Sequence, residues 1–220
     1  LIYGFGCTLF QQIIGLALAL FLNSKFKGRG MIRTIIYMPA MVSGLVMGYI
    51  MYFFFQYKGG VVNDILAAFG ASGYDWLGNG TSAIAVIVFI NTWQFVGVSM
   101  VIYLAGIQGV SQSYLEAATV DGANAWERFR FIILPLLVPA LSSSVIYNLI
   151  GGLKLYDVII ALTDGGPAKK THSLATYIAN RYFDAERAGY AAAIGVFSFV
   201  MIMIISMIVN AYFRKKEVDL

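Results

Sequence analysis

The stretch "YLEAATVDGANAWERFRFIILPLLVP" runs from Tyr114 to Pro139. It concentrates Glu116, Asp121, Glu127, Arg128 and Arg130 in a chain that is otherwise mostly apolar, and it carries Gly122, Pro135 and Pro139. Glu116–Ala118 is a strong helix former. Ser113, three residues before Glu116, fits a capping box. Gly122 permits a bend or a close backbone approach. Trp126 and Phe129 offer apolar anchors. The two prolines sit near a helix start, where proline is tolerated. The pattern predicts a short helix lying at a membrane surface, a turn, and a second helix rising into the bilayer.

A membrane follows from composition. Of 220 residues, 60% are hydrophobic and 12% charged, with a mean hydropathy of +0.77. Soluble domains carry about 45–50% apolar and roughly 25% charged residues. No soluble fold of this size hides so much apolar surface, so the chain reads as an integral membrane protein. The net charge is +4. The basic residues are spread over short loops and the tail, without an aromatic-interleaved basic face, which argues against a nucleic-acid partner. Cys7 is the only cysteine, which excludes an internal disulfide and a cysteine metal cluster.

Five apolar stretches are long enough to span, at about 20 helical residues each. They cover residues 2–22, 35–56, 82–108, 133–153 and 188–213, the fourth with a possible continuation to Leu162. None alternates as a spanning strand would. The expected fold is an all-α polytopic transmembrane bundle, one transmembrane domain over residues 1–220, with a cytoplasmic connecting loop over 112–135. Lys25, Lys27, Arg29 and Arg33 follow span one, Arg128 and Arg130 follow span three, and Arg214, Lys215 and Lys216 follow span five. Excess Lys and Arg mark the cytoplasmic side, so the C-terminus is expected there. The N-terminus then lies outside. The chain opens at Leu1 with no charged leader, so a sixth, upstream span is expected in the full protein.

Read alone, Tyr114–Pro139 is an amphipathic connector. Its full spacing is more specific. Glu116-Ala117-Ala118 is followed by Asp121-Gly122-Ala123, Phe129, Leu134-Pro135 and Pro139. This resembles the EAA loop of permease subunits of binding-protein-dependent ABC importers. "MIRTIIYMPAMVSGLVMGYIMYFFF" (Met31–Phe55) and "LTDGGPAKKTHSLATYIANRYF" (Leu162–Phe183) look like further parts of the carbohydrate-type members, so nearly the whole chain is covered. The chain is most similar to the maltose-transporter type, to the larger of the two paired permeases.

The resemblance implies a coupling helix that docks on a cytoplasmic ATPase subunit, with Glu116, Ala117, Ala118, Asp121 and Gly122 at the contact. Phe129 and Pro135 would brace the loop against span four. Coupling free energy must pass through a rigid element joined to a pore helix. The chain has no G-x-x-x-x-G-K-[ST] phosphate loop. ATP and Mg²⁺ are therefore expected on a partner ATPase dimer, with no cofactor on this chain and no enzyme activity of its own. A second homologous permease, an extracytoplasmic substrate-binding protein, a sugar, and the lipid of a bacterial inner membrane are the other partners implied.

Polar groups inside spans face a partner helix or a wet cavity. Span three holds Asn91, Trp93 and Gln94. Span four holds Asn148, Gly151 and Gly152, with Lys154 just beyond. Amides and an indole suit sugar hydroxyls and the apolar face of the ring. Aligned by the EAA and Gly165-Gly166-Pro167 anchors, the resemblance places Gln94, Phe95, Val98, Asn148, Gly151, Gly152, Lys154 and Leu155 near the pore. Hydrogen bonding between helices explains each polar residue equally well. Lys154 and Asp157, spaced i,i+3, suggest a simple pair. Gly44-x-x-x-Gly48 reads as a packing face, within the chain or against the partner permease. Asn79-Gly80-Thr81 matches a glycosylation sequon, and His172 stands alone in a polar loop.

Two other classes compete. An ion-gradient-driven secondary transporter would place carboxylates at mid-membrane, and none lies there unless span four reaches Asp157. A non-transporting membrane scaffold would have neither ATPase nor binding protein. The carried solute is not legible, since glycerol-phosphate importers share the same general pattern.

Overall fold

The computed structural model describes residues 1–24 and 26–216. Lys25, assigned above to the cytoplasmic side, lies outside the described residues, as do residues 217–220. Every regular element among the described residues is helical. Three helices can each cross a bilayer unaided: α1 (Ile2–Asn23), α5 (Gly80–Gly109) and α12 (Ala188–Arg214). Two further crossings are possible only as bent pairs.

The first bent pair replaces the continuous helix expected over residues 35–56. Here α2 (Arg29–Tyr37) runs into a 3₁₀ turn, Met38–Met41, and α3 (Gly44–Phe55) leaves at 99° to that segment. The cause is local. Pro39 has no N–H to continue an α-helix, and Val42 and Ser43 turn extended, with ψ of 136° and 139°. A broken span is tolerated where neighbours satisfy the freed backbone groups. Gln94 of α5 does so, its Nε2 donating to the Val42 carbonyl at 2.9 Å.

The second pair interrupts the fourth span, expected over residues 133–153. A four-residue helix, α7 (Ala125–Arg128), passes through a π-helical turn, Phe129–Ile133, into the single turn α8 (Leu134–Leu136). The bundle helix α9 (Val138–Leu153) departs at 66°. Pro135 and Pro139 each remove a backbone donor, which loosens the hydrogen-bond ladder at this corner. The continuation to Leu162 is not one helix either. The chain leaves helical geometry at Lys154–Tyr156 and restarts as α10 (Asp157–Thr163). Lys154 and Asp157 therefore do not share a helix, and the i,i+3 pairing expected from spacing has no common face to act on.

The short helix α4 (Val61–Ala68) caps the loop after α3. Buried Asn63 ties that loop together, donating to the carbonyls of Tyr57 and Tyr74 and accepting from Trp76 Nε1, each at 3.0 Å. Of the remaining short helices, α6 (Gln112–Val120) precedes α7, and α11 (Leu174–Ala179) precedes α12.

Packing centres on α5, against which α1 lies along its length and α9 crosses. Two apolar clusters sit at different heights of this bundle. One gathers Tyr3, Met47, Ile87, Ile90, Val158 and Ile159 from α1, α3, α5 and α10. The other gathers Leu22, Met100, Tyr103, Ile107 and Leu137 from α1, α5 and the start of α9. The Gly44-x-x-x-Gly48 face packs inside the chain: a Cβ on Gly48 would lie 2.6 Å from Ala161 Cβ of α10. The outermost helix, α12, keeps its bulk outward, with Phe197, Phe199, Met207 and Ile208 all more than 60% exposed. A surface so apolar needs lipid or a protein partner.

Candidate functional site

Between the two clusters α5 carries polar residues, and there a cavity of about 460 Å³ opens. Its wall includes Asn91, Gln94 and Phe95 from α5, Asn148, Gly151 and Gly152 from α9, and Lys154 and Leu155 from the break after it. Eight of the ten residues expected along a solute path thus meet at one hollow. Trp93 and Val98 are not on its wall. Trp93 points outward, 41% exposed, because at 3.6 residues per turn it lies about 200° around α5 from Asn91.

The cavity's amides are held in fixed senses. Gln11 of α1 reaches across to α5, and its Nε2 donates to the Asn91 backbone carbonyl at 3.0 Å and to Asn91 Oδ1 at 3.1 Å. Asn148 Nδ2 donates to Ser99 Oγ at 2.7 Å and to the Ser144 carbonyl at 2.9 Å. Gln94 is fully buried and committed to Val42, so it is a brace at the cavity edge. Gly151 has open space around it, whereas a Cβ on Gly152 would lie 2.8 Å from the Tyr3 carbonyl oxygen, where α1 crosses α9.

The structure adds wall residues that the sequence reading left out of this set: Gln11, Gly44, Tyr147, Tyr156 and Asp157. Gln11 had a visible signal, since Gln11-Gln12 puts two amides in the middle of an apolar span. Tyr156 and Asp157 arrive only through the break after α9, which no periodicity announces. Gln12 anchors a second polar cluster, its Oε1 accepting from the hydroxyls of Tyr103 and Ser144.

The second candidate element is α6 with the corner that follows. Glu116, Ala117, Asp121 and Gly122 are exposed, and Ala118 is turned inward. Gly122 has φ of 82°. The Ala123 amide donates to the Ala118 carbonyl and the Gly122 amide to the Thr119 carbonyl. This is a Schellman C-cap, with the left-handed position filled by glycine. The capping box lies elsewhere than expected. Ser113 bonds to Ser111 Oγ, while Asn124 and Glu127 cap α7 reciprocally, at 3.0 and 2.7 Å. Arg128 then clasps α6, its Nη1 donating to Thr119 Oγ1 at 2.7 Å. Phe129 and Pro135 are half-buried at the corner leading to α9, and Trp126 is exposed with its ring stacked obliquely on Phe129, centroids 5.6 Å apart.

Smaller sequence signals have structural explanations. Asn79 caps α5, its Oδ1 accepting from the Thr81 amide at 3.0 Å. His172 is hydrogen-bonded to Thr176 Oγ1 at 3.1 Å through Nδ1. Gly165-Gly166-Pro167 forms a turn that packs under the His172 ring.

Residues 12–218 match the model of the family described as "Binding-protein-dependent transport system inner membrane component". A trehalose/maltose transport system permease protein of Thermococcus litoralis is 35% identical over 201 residues, covering 91% of this chain and 68% of that protein. Among solved structures, a bacterial ABC transporter involved in the import of the acidic polysaccharide alginate superposes with a TM-score of 0.85 at 27% identity, covering 97% of this chain and 77% of that one. A bacterial alginate ABC transporter in complex with an alginate pentasaccharide-bound periplasmic protein gives a TM-score of 0.84 at 27% identity, over 94% and 73%. The chain belongs to the binding-protein-dependent transport system inner membrane component family.

Proposed function

We propose that this chain is a transmembrane permease subunit of an ATP-driven importer of sugars, with oligosaccharides as the favoured cargo, and that it forms one half of the translocation path. One observation carries the reading: the outward face of α6 is joined through the Pro135 corner directly to α9, and α9 lines the cavity. A push at Glu116–Gly122 thus has a short covalent route to the cavity wall. The similar trehalose/maltose permease and the two alginate transporters support the sugar class. The periplasmic protein bound in one of them supports a binding-protein partner. In this reading a separate ATPase pair holds ATP and Mg²⁺, a second permease completes the path, and α6 and the C-terminus face the cytoplasm.

The test is uptake into proteoliposomes holding both permeases and the ATPase, with the binding protein outside. Glu116→Lys is expected to abolish ATP-driven sugar uptake while leaving membrane insertion intact; normal uptake would remove α6 from the coupling path. The ion-driven alternative draws on Asp157, which lines the cavity. Collapsing the proton gradient at constant ATP leaves uptake intact if the importer reading holds.

A further inference from the structure

We propose that the Ser144 carbonyl and Gln11 set two cavity amides in opposite senses, Asn148 as an acceptor and Asn91 as a donor, so that the cavity selects neutral, hydroxyl-rich solutes over carboxylated ones. The proposal rests on the reading of this cavity as part of the solute path.

The orientation of each amide is forced by its neighbours. A backbone carbonyl only accepts. The Ser144 carbonyl, 2.9 Å from Asn148, therefore requires the NH₂ side of that amide, and Ser99 Oγ takes the second hydrogen at 2.7 Å. Both donors are consumed. Asn148 Oδ1 has no hydrogen-bond partner among the described residues, on a side chain only 4% exposed at the cavity wall. Asn91 is set the other way. Gln11 must turn its NH₂ toward the Asn91 backbone carbonyl, and the second hydrogen engages Asn91 Oδ1. The oxygen of Asn91 is occupied, so its NH₂ is what it offers.

The groups around the two amides are held in place. Ser99 is fully buried, with Gly15 of α1 so close that a Cβ there would lie 2.7 Å from Ser99 Cβ. Gln11 is 1% exposed. A sugar hydroxyl both donates and accepts, so it satisfies Asn148 and Asn91 alike. A carboxylate has no hydrogen to give Asn148 Oδ1, and it brings its charge against that oxygen. The two charged groups on the wall, Lys154 and Asp157, are of opposite sign, so the wall carries no net charge to offset this. The preference runs against the acidic cargo of the alginate transporters this fold resembles.

The experiment uses the assembled complex, without binding protein, in detergent. The probes are a pool of radiolabelled neutral di- and trisaccharides and the same pool oxidised at C6 to uronic acids. The wild-type complex is expected to bind the neutral pool about tenfold more tightly, the factor one hydrogen bond supplies. Asn148→Leu removes the Oδ1 acceptor at similar size; the neutral-to-uronate ratio falls toward one, because the neutral pool loses its bond and the uronates lose their penalty. Gln11→Met is expected to weaken both pools, since Asn91 loses its set. A wild type that binds the uronates as well as the neutral pool overturns the proposal, and so does an unchanged ratio in Asn148→Leu. A general loss of stability would weaken both pools without moving the ratio. ATP-driven uptake with an unmoved ratio sinks this inference alone, whereas no ATP-driven uptake by the wild type sinks the importer reading.

Discussion

Gly97 of α5 lies against the backbone of α2, so close that a Cβ at Gly97 would sit 2.7 Å from Tyr37 Cα and closer still to the Ile36 carbonyl oxygen. The contact is backbone on one side, so no side chain can move aside. Gly97→Ala is expected to destabilise the bundle by about 1–3 kcal/mol, the usual range for overpacking. A lowered melting temperature of the detergent-purified complex checks this, and an unchanged one would mean α2 is not held there.

The same broken span depends on Gln94. Gln94→Leu keeps the bulk but leaves the Val42 carbonyl without its donor. An orphaned buried acceptor costs about 1–3 kcal/mol. Gln94→Glu should be worse, because it sets a second acceptor against that carbonyl. Thermal melts should rank wild type above Leu and Leu above Glu, with Leu at or above wild type as the contrary result.

These two contacts mark what the sequence alone could not supply. The spans of α1, α5 and α12 are long uninterrupted apolar runs, and hydropathy suffices to find them. Hydropathy does not mark the break at Pro39–Ser43, because "MPAMVSG" is uncharged and lies between apolar runs. What permits the break is Gln94 and Gly97, some fifty residues away in sequence and adjacent only after folding. The polar positions of spans three and four were legible as a group, since amides inside apolar runs are conspicuous. Their separate duties were not: Asn148 faces the cavity while Gln94 holds a turn, and only three-dimensional partners tell them apart. Likewise Ser113 and Asn124 each fit a capping box by spacing, and backbone geometry at Ala125–Arg128 selects Asn124.

Gly122 tests what the loop requires. Its φ of 82° belongs to the left-handed region, and among the described residues nothing beyond its chain neighbours lies within 4 Å of where its Cβ would be. The need is for the turn, which places α6 against Arg128. Gly122→Ala should cost about 1–2 kcal/mol of local stability, while Gly122→Asn tolerates that backbone. Solute transported per ATP hydrolysed in proteoliposomes is expected to fall further for Ala than for Asn. Equal loss in both would instead indicate that the ATPase itself presses on this position.

Gly151 and Gly152 are neighbours with opposite expectations. Gly152 meets α1 backbone, with the Gly4 Cα 2.9 Å from where its Cβ would stand. Gly152→Ala therefore forces α1 and α9 apart, which disturbs the cluster around Tyr3 and the amide bridge from Gln11. Gly151 borders the cavity, and a Cβ there would meet no neighbouring element among the described residues within 4 Å. Gly151→Leu adds bulk only to the hollow, and in a helix leucine is the better former by about 1 kcal/mol. The expected outcome is that Gly152→Ala lowers the yield of assembled complex, whereas Gly151→Leu assembles normally and loses uptake of the larger solutes first. Uptake assays graded by solute size, run beside a size-exclusion profile of the complex, separate the two. Equal uptake of all sizes by Gly151→Leu would take this hollow out of the solute path.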